Sequence, residues 1–214
     1  MAEFTVYGVP GSPYLRGALL GFEEKGIAYD LVPMGFGEVK TPEHLARHPF
    51  GRIPVIDHGD FRLYETQAIL RYLDDLFPSP AFVPREAKAK ARMNQLIGIT
   101  DWYFFPKITA TISFQRFAVP MRGGTPDEAV IAAAKPEAMK CVKAIEVLMG
   151  DAPFLTGGEI SIADLFLAPH AHYLALTPEG KEIMRDGKLQ RWVGRMRQRP
   201  SLERTEPEKL RAAA

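Results

Sequence analysis

Ser12 sits between Gly11 and Pro13 in "YGVPGSPYLRGALLGFEEKG". A serine hydroxyl there has two uses. It can accept a hydrogen bond from a first-turn backbone N–H as an N-cap, with Pro13 pre-set for the first helical position. It can also donate its own proton to an anion placed where the helix dipole is positive. Tyr7, at the end of the preceding strand, is a second candidate donor. Three further features carry polar groups into the same third of the chain. In "GRIPVI", Pro54 opens a strand. A cis bond at Ile53–Pro54 turns the Ile53 N–H and C=O outward to pair with an extended peptide, whereas a trans bond leaves an ordinary strand edge. In "YETQAIL", Glu65 and Thr66 stand at a helix start. Thr66 caps it, the first-turn amides can hold a carboxylate, and Glu65 can pair with an ammonium. Lys40, in "GEVKTPEHL", puts a cation ahead of a short helix; alone, it reads as a solvated surface lysine.

The elements that position these residues follow from the pattern of the chain. "EFTVYG" reads as a buried strand, and Leu15, Ala18, Leu19 and Phe22 recur at helical spacing before Gly26 ends the run. "AYDLVPM" is a second strand, residues 41–48 a short helix, and "PVIDHGDFRLYE" a hairpin around Asp57-His58-Gly59-Asp60. "TQAILRYLDDLF" carries the stripe Ile69, Leu70, Leu73 and Phe77. The proline-rich "FPSPAFVPRE" is a linker, and residues 87–117, 127–149, 161–176 and 188–198 read as helices with no strand among them. The order βαβ-α-ββα followed by an all-helical half predicts two domains: 1–78, a linker at 79–86, and 87–214. "SIAD" has the form of a capping box, a folding element.

Composition narrows the classes. The chain has 214 residues, 46% hydrophobic and 25% charged, with a formal net charge of +1, which fits a globular protein and points to neither nucleic acid nor an anionic membrane. The most basic stretch, "RWVGRMRQR", reads as the solvated face of a terminal helix. One cysteine, Cys141, excludes an internal disulfide scaffold and fits a reducing, cytoplasmic setting. No secretory signal or membrane-spanning run is visible. The helix head reads "SPYL" where a disulfide oxidoreductase needs a cysteine, and "VPGSPY" lacks the G-x-S-x-G of a serine hydrolase. His44 and His48 have metal-ligand spacing but no third ligand, and read as a surface pair; no metal site is expected.

A ligand that satisfies Ser12, Lys40, Ile53 and Glu65–Thr66 together has an α-amino acid end, a peptide middle, a second carboxylate and a group suited to a hydroxyl donor. Glutathione has all four. "HPFGRIPVI", "LYETQAILRYL" and "FLTGGEISIADLFLAP" occur in family order, and over essentially its whole length the sequence resembles the cytosolic glutathione transferases, most closely the serine-type classes (theta, phi and similar bacterial forms). The resemblance implies a thioredoxin-like N-terminal domain, an all-helical C-terminal domain, and a cis Pro54. It implies that Ser12 is catalytic, that the Ile53 backbone pairs with the cysteinyl part, that Glu65 and Thr66 hold the γ-glutamyl end, and that Lys40 binds the glycine carboxylate. Arg52 stands where many members have Gln, and Val39 replaces a frequent His. Arg16 matches a position with a supporting role, at the surface or the core edge.

The implied activity is transfer of the glutathione thiolate to small hydrophobic electrophiles, a detoxification chemistry. Alternatives are a glutathione-dependent isomerase, dehalogenase or peroxidase, or a non-catalytic binding member of the fold. The electrophile is expected beside the sulfur, with Phe36, Phe105 and Ile108 as candidate lining. A homodimer is implied, with Phe50 as a candidate aromatic key. Glutathione is the only co-substrate expected.

Overall fold

The computed structural model describes residues 2–212 of the chain. These form two compact units: one runs up to Val83 and takes in the segment from Gln198 onward, and the other spans Pro84–Arg197.

The first unit is built on a four-stranded sheet of β1 (Phe4–Gly8), β2 (Tyr29–Pro33), β3 (Val55–His58) and β4 (Phe61–Tyr64), in the order β2-β1-β3-β4. β1 and β2 are parallel, joined through α1 (Pro13–Lys25). β3 runs antiparallel to β1, and β4 antiparallel to β3. A short 3-10 turn (Glu38–Lys40) and α2 (Pro42–Arg47) precede β3, and α3 (Thr66–Leu76) follows β4. This is the expected thioredoxin-like order. Alternation along β1 sends Phe4 and Val6 to one face, where they pack with Leu15, Leu19 and Phe22 of α1 and Ile69 and Leu73 of α3. Gly21 lets α1 and α3 approach closely, since a Cβ there would lie 2.5 Å from Leu70 Cδ2. Thr5 and Tyr7 point to the other face.

The chain after the last long helix packs on this first unit rather than extending the helical domain through 87–214. α10 (Pro200–Arg204) and α11 (Pro207–Ala212) follow Gln198. Leu210 joins the core with Phe4 and Leu19, and the Leu202 carbonyl accepts a hydrogen bond from Arg16 Nη2 at 3.0 Å. Arg199 grips the Glu24 carboxylate from Nε and Nη2 at 2.7 and 2.5 Å, and Arg204 pairs with Glu23 at 2.6 Å. Arg16 is therefore fully buried, not at a surface or core edge: the C-terminal segment covers it.

Lys25 clamps the stretch that follows α3 within the first unit. Its Nζ donates to Asp74 Oδ1 at 3.0 Å and to the carbonyls of Phe77 and Pro80 at 2.5 and 2.7 Å, and it lies 4.1 Å from the Phe82 ring centre. Asp74 in turn accepts from the Phe82 and Val83 amides.

The second unit is helical: α4 (Ala87–Ile99), continued by a π-helical stretch (Thr100–Ala118), then α5 (Val119–Met121), α6 (Glu128–Met149), α7 (Ile162–Leu176), α8 (Pro178–Ile183) and α9 (Lys188–Arg197). α7 is the core helix, buried from Ile162 through His172. Its start is the capping box read in "SIAD": Asp164 accepts from the Ser161 and Leu155 amides, both at 2.9 Å, and from Trp192 Nε1 of α9 at 2.8 Å. His170 is buried among Phe104, Phe105 and Phe166, with Nδ1 3.0 Å from Thr109 Oγ1, and burial pushes its pKa down to about 3.

Candidate functional site

The sheet register brings the predicted residues to one edge. β1 ends at Gly8, β3 begins at Val55 and β4 ends at Tyr64, with Tyr7 opposite Val55 and Val55 opposite Tyr64. The segments holding Ser12, Ile53–Pro54 and Glu65 all leave the sheet there. The Ile53–Pro54 bond is cis. The heads of α1 and α3 are tied together, because Thr66 Oγ1 donates to the Tyr14 carbonyl at 3.1 Å. That bond also corrects the expectation that Thr66 caps α3. Thr66 is the first helical residue, and Glu65 occupies the cap position without a side-chain cap bond.

Ser12 is the N-cap of α1. Its Oγ accepts from the Leu15 N–H at 3.4 Å, long for such a bond, so the cap is a weak one. The residue is 9% exposed, and its hydroxyl makes no other hydrogen bond among the described residues. Tyr7 is placed differently. Burial and, after it, the nearby Asp57 carboxylate push its phenol above the ordinary value. The Arg47 guanidinium lies over the Tyr7 ring at 4.5 Å. Asp57 itself is held low by Arg62, which binds it through two bonds of 2.7 Å.

Glu65 adopts φ 73°, ψ 112°, a left-handed backbone that costs a non-glycine residue about 1–3 kcal/mol and that clusters at functional sites. Its carboxylate is exposed and has no partner among the described residues. Lys40 closes the 3-10 turn. Its Nζ donates to the Phe50 carbonyl at 3.1 Å, folded over Gly51. Gly51 has φ +58°, and a Cβ there would lie 2.7 Å from the Val39 carbonyl oxygen and 2.8 Å from Lys40 Nζ; only glycine fits. Lys40 and Arg52 thus flank the loop that leads into Ile53, both exposed.

His44 and His48 are not a surface pair. Both are buried, because α2 packs its inner side onto the Pro54 loop. His44 Nε2 donates to the Arg52 carbonyl at 2.7 Å, and His48 lies against Tyr64 with ring centres 4.3 Å apart. Burial lowers the His48 pKa, and His44, Arg52 and Lys40 lower it further.

Of the candidate lining residues, Phe36 is exposed in the loop after β2, Phe105 is half-buried with its edge to His170, and Ile108 is fully buried in the helical unit. Phe50 is 67% exposed. Cys141 is buried on α6, and burial pushes its thiol up to about 12, which suits packing and not thiol chemistry.

Comparisons with known proteins agree on the family. The model of the glutathione S-transferase N-terminal domain matches residues 6–81, and that of the C-terminal domain matches residues 128–195. Glutathione S-transferase 3 of Zea mays is 30% identical over 213 residues, covering 96% of this chain and 94% of that protein. Glutathione S-transferase F7 of Arabidopsis thaliana is 27% identical, covering 95% of this chain and 99% of that protein. Among solved structures, glutathione transferase F7 from Populus trichocarpa superposes with a TM-score of 0.84 at 28% identity, over 94% of this chain and 97% of that one. Glutathione S-transferase I from mais, in complex with an atrazine glutathione conjugate, gives 0.84 at 27% identity over 99% of each chain. The chain belongs to the glutathione S-transferase family.

Proposed function

We propose that this glutathione transferase conjugates the glutathione thiolate to small hydrophobic electrophiles, with Ser12 as the group that holds the sulfur deprotonated. The observation that carries the proposal is the state of the Ser12 hydroxyl: buried at the head of α1, accepting weakly from Leu15, its own proton uncommitted. A glutathione thiol in water titrates near ~8.5, so at neutral pH about 3% is thiolate, the nucleophilic form. A charge-assisted O–H···S⁻ bond of about 1.5–3 kcal/mol lowers the pKa by about one to two units, and the helix N-terminus adds to it. Ser12 is then a donor, not a covalent nucleophile. Tyr7 is the weaker candidate, since burial and the Asp57 carboxylate raise its phenol.

The rest of the tripeptide finds complementary groups. Lys40 and Arg52 supply positive charge for the glycine carboxylate, and the Ile53 backbone beside cis Pro54 pairs with the cysteinyl peptide. The first-turn amides of α3 take the γ-glutamyl carboxylate, and the unpartnered Glu65 carboxylate takes its ammonium. Phe36, exposed in the loop after β2, is the aromatic the first unit offers to a hydrophobic electrophile. Phe50, a large exposed aromatic, suits a homodimer contact, and a chain with one buried cysteine suits the cytoplasm. No helix among the described residues is long and apolar enough to cross a membrane.

Retention on immobilised glutathione, followed by turnover with haloarenes, alkyl halides, isothiocyanates, peroxides and maleyl-type cis alkenes, tests the proposal. Conjugation of at least one electrophile class is expected. Failure to bind glutathione overturns the proposal, and activity confined to peroxides or cis alkenes replaces conjugation with peroxidase or isomerase chemistry.

A further inference from the structure

We propose that His44 is a positioning residue for the glutathione site: its buried imidazole, by donating to the Arg52 carbonyl, fixes the direction of the Ile53 N–H. The inference rests on the glutathione reading above, in which the Ile53 backbone pairs with the tripeptide. The Arg52 C=O and the Ile53 N–H belong to one planar peptide group and point in opposite directions. Holding the carbonyl toward α2 therefore aims the amide away from α2. The 2.7 Å bond from His44 Nε2 does the holding.

The tautomer follows from the partner. A carbonyl only accepts, so Nε2 carries the proton and Nδ1 is bare. Nδ1 is buried and has no hydrogen-bond partner among the described residues. For packing alone an apolar ring or branched chain would serve better, because it leaves no buried acceptor unsatisfied. What a histidine adds at this fully buried position is the donor to Arg52. The main chain beneath the ring is held within α2, where the His44 carbonyl accepts from the His48 N–H at 2.8 Å; the cap bond from the His44 N–H to Thr41 Oγ1, at 3.3 Å, is the weaker of the two.

The test is steady-state kinetics of the full chain with glutathione and a haloarene, for His44→Leu, His44→Gln and Thr41→Ala. Loss of one positioning hydrogen bond predicts a KM for glutathione about tenfold higher in His44→Leu, with kcat at saturating glutathione within about twofold. His44→Gln keeps an amide donor at similar reach and recovers most of the KM. Thr41→Ala weakens the α2 cap but spares the ring contact, so it lowers the melting temperature without moving KM. Should His44→Leu fail to fold, His44→Asn, whose amide is too short to reach Arg52, takes its place. An unchanged KM in the leucine or asparagine variant, or a glutamine variant as impaired as leucine, overturns the positioning role. If calorimetry shows that the intact protein does not bind glutathione at all, the functional reading falls, and this inference with it.

Discussion

Replacing Ser12 by Ala removes one hydroxyl, and the structure separates its two duties. As a cap, the hydroxyl accepts a single long bond of 3.4 Å from Leu15, so its loss is expected near the low end of the capping range, about 0.5 kcal/mol. As a donor to sulfur it contributes about 1.5–3 kcal/mol, while the backbone share of the α1 N-terminus remains. The pKa of the bound thiol then rises by about one to two units toward ~8.5, the thiolate fraction at pH 7 drops to about 3%, and kcat falls about 8- to 25-fold. Glutathione affinity is expected to change by less than about threefold, because the contacts proposed for the rest of the tripeptide, at Lys40, Ile53 and the head of α3, are left in place. Steady-state turnover of a haloarene from pH 6 to pH 9 is the assay. The variant's deficit should shrink toward high pH, where solvent alone ionises the thiol. Tyr7→Phe is the control: burial and the Asp57 carboxylate make its phenol a poor proton donor, so its turnover should stay within about twofold of the intact enzyme. A Ser12→Ala enzyme that turns over at near-intact rates at pH 7, or a Tyr7→Phe enzyme that carries the deficit instead, refutes the assignment.

Three predictions concern stability. Lys25→Met leaves the buried Asp74 carboxylate with only the Phe82 and Val83 amides, and should cost about 3 kcal/mol in urea denaturation; a change below about 1 kcal/mol contradicts the clamp. Trp192→Phe removes one of the Asp164 donors and should cost about 1–3 kcal/mol, whereas no change would mean that the α7–α9 bond is dispensable. His170 is held neutral, with a folded pKa of about 3 against ~6.5 unfolded. Its contribution is therefore complete above ~6.5 and lost as pH falls toward 3, about 2 kcal/mol between pH 7 and pH 5, with His48 adding in the same direction. Urea midpoints at the two pH values measure this, and a His170→Asn background with the same pH slope would contradict it.

The strands, the α1 cap, the hairpin and the capping box of α7 were legible because each is a local matter: Ser12-Pro13 signals a helix start, and Ser161 to Asp164 spells its own box. The cis bond at Ile53–Pro54 was legible only through the family resemblance, since proline permits cis without requiring it. What escaped depends on partners far along the chain. Arg16 is buried because Leu202 lies over it, 186 residues away in sequence. His44 and His48 turn inward because α2 meets the Pro54 loop, and an i, i+4 spacing does not say which face of a six-residue helix is covered. Thr66 has the chemistry of a cap, but the helix begins with it, and its hydroxyl ties α3 to α1 instead.

The central claim is that the Ser12 hydroxyl keeps a bound glutathione sulfur ionised at neutral pH. Titrating the ultraviolet thiolate absorbance of the glutathione-saturated intact protein measures this directly. A midpoint about one to two units below the ~8.5 of the free thiol is the predicted result. A midpoint at or above that of glutathione in plain buffer contradicts the account.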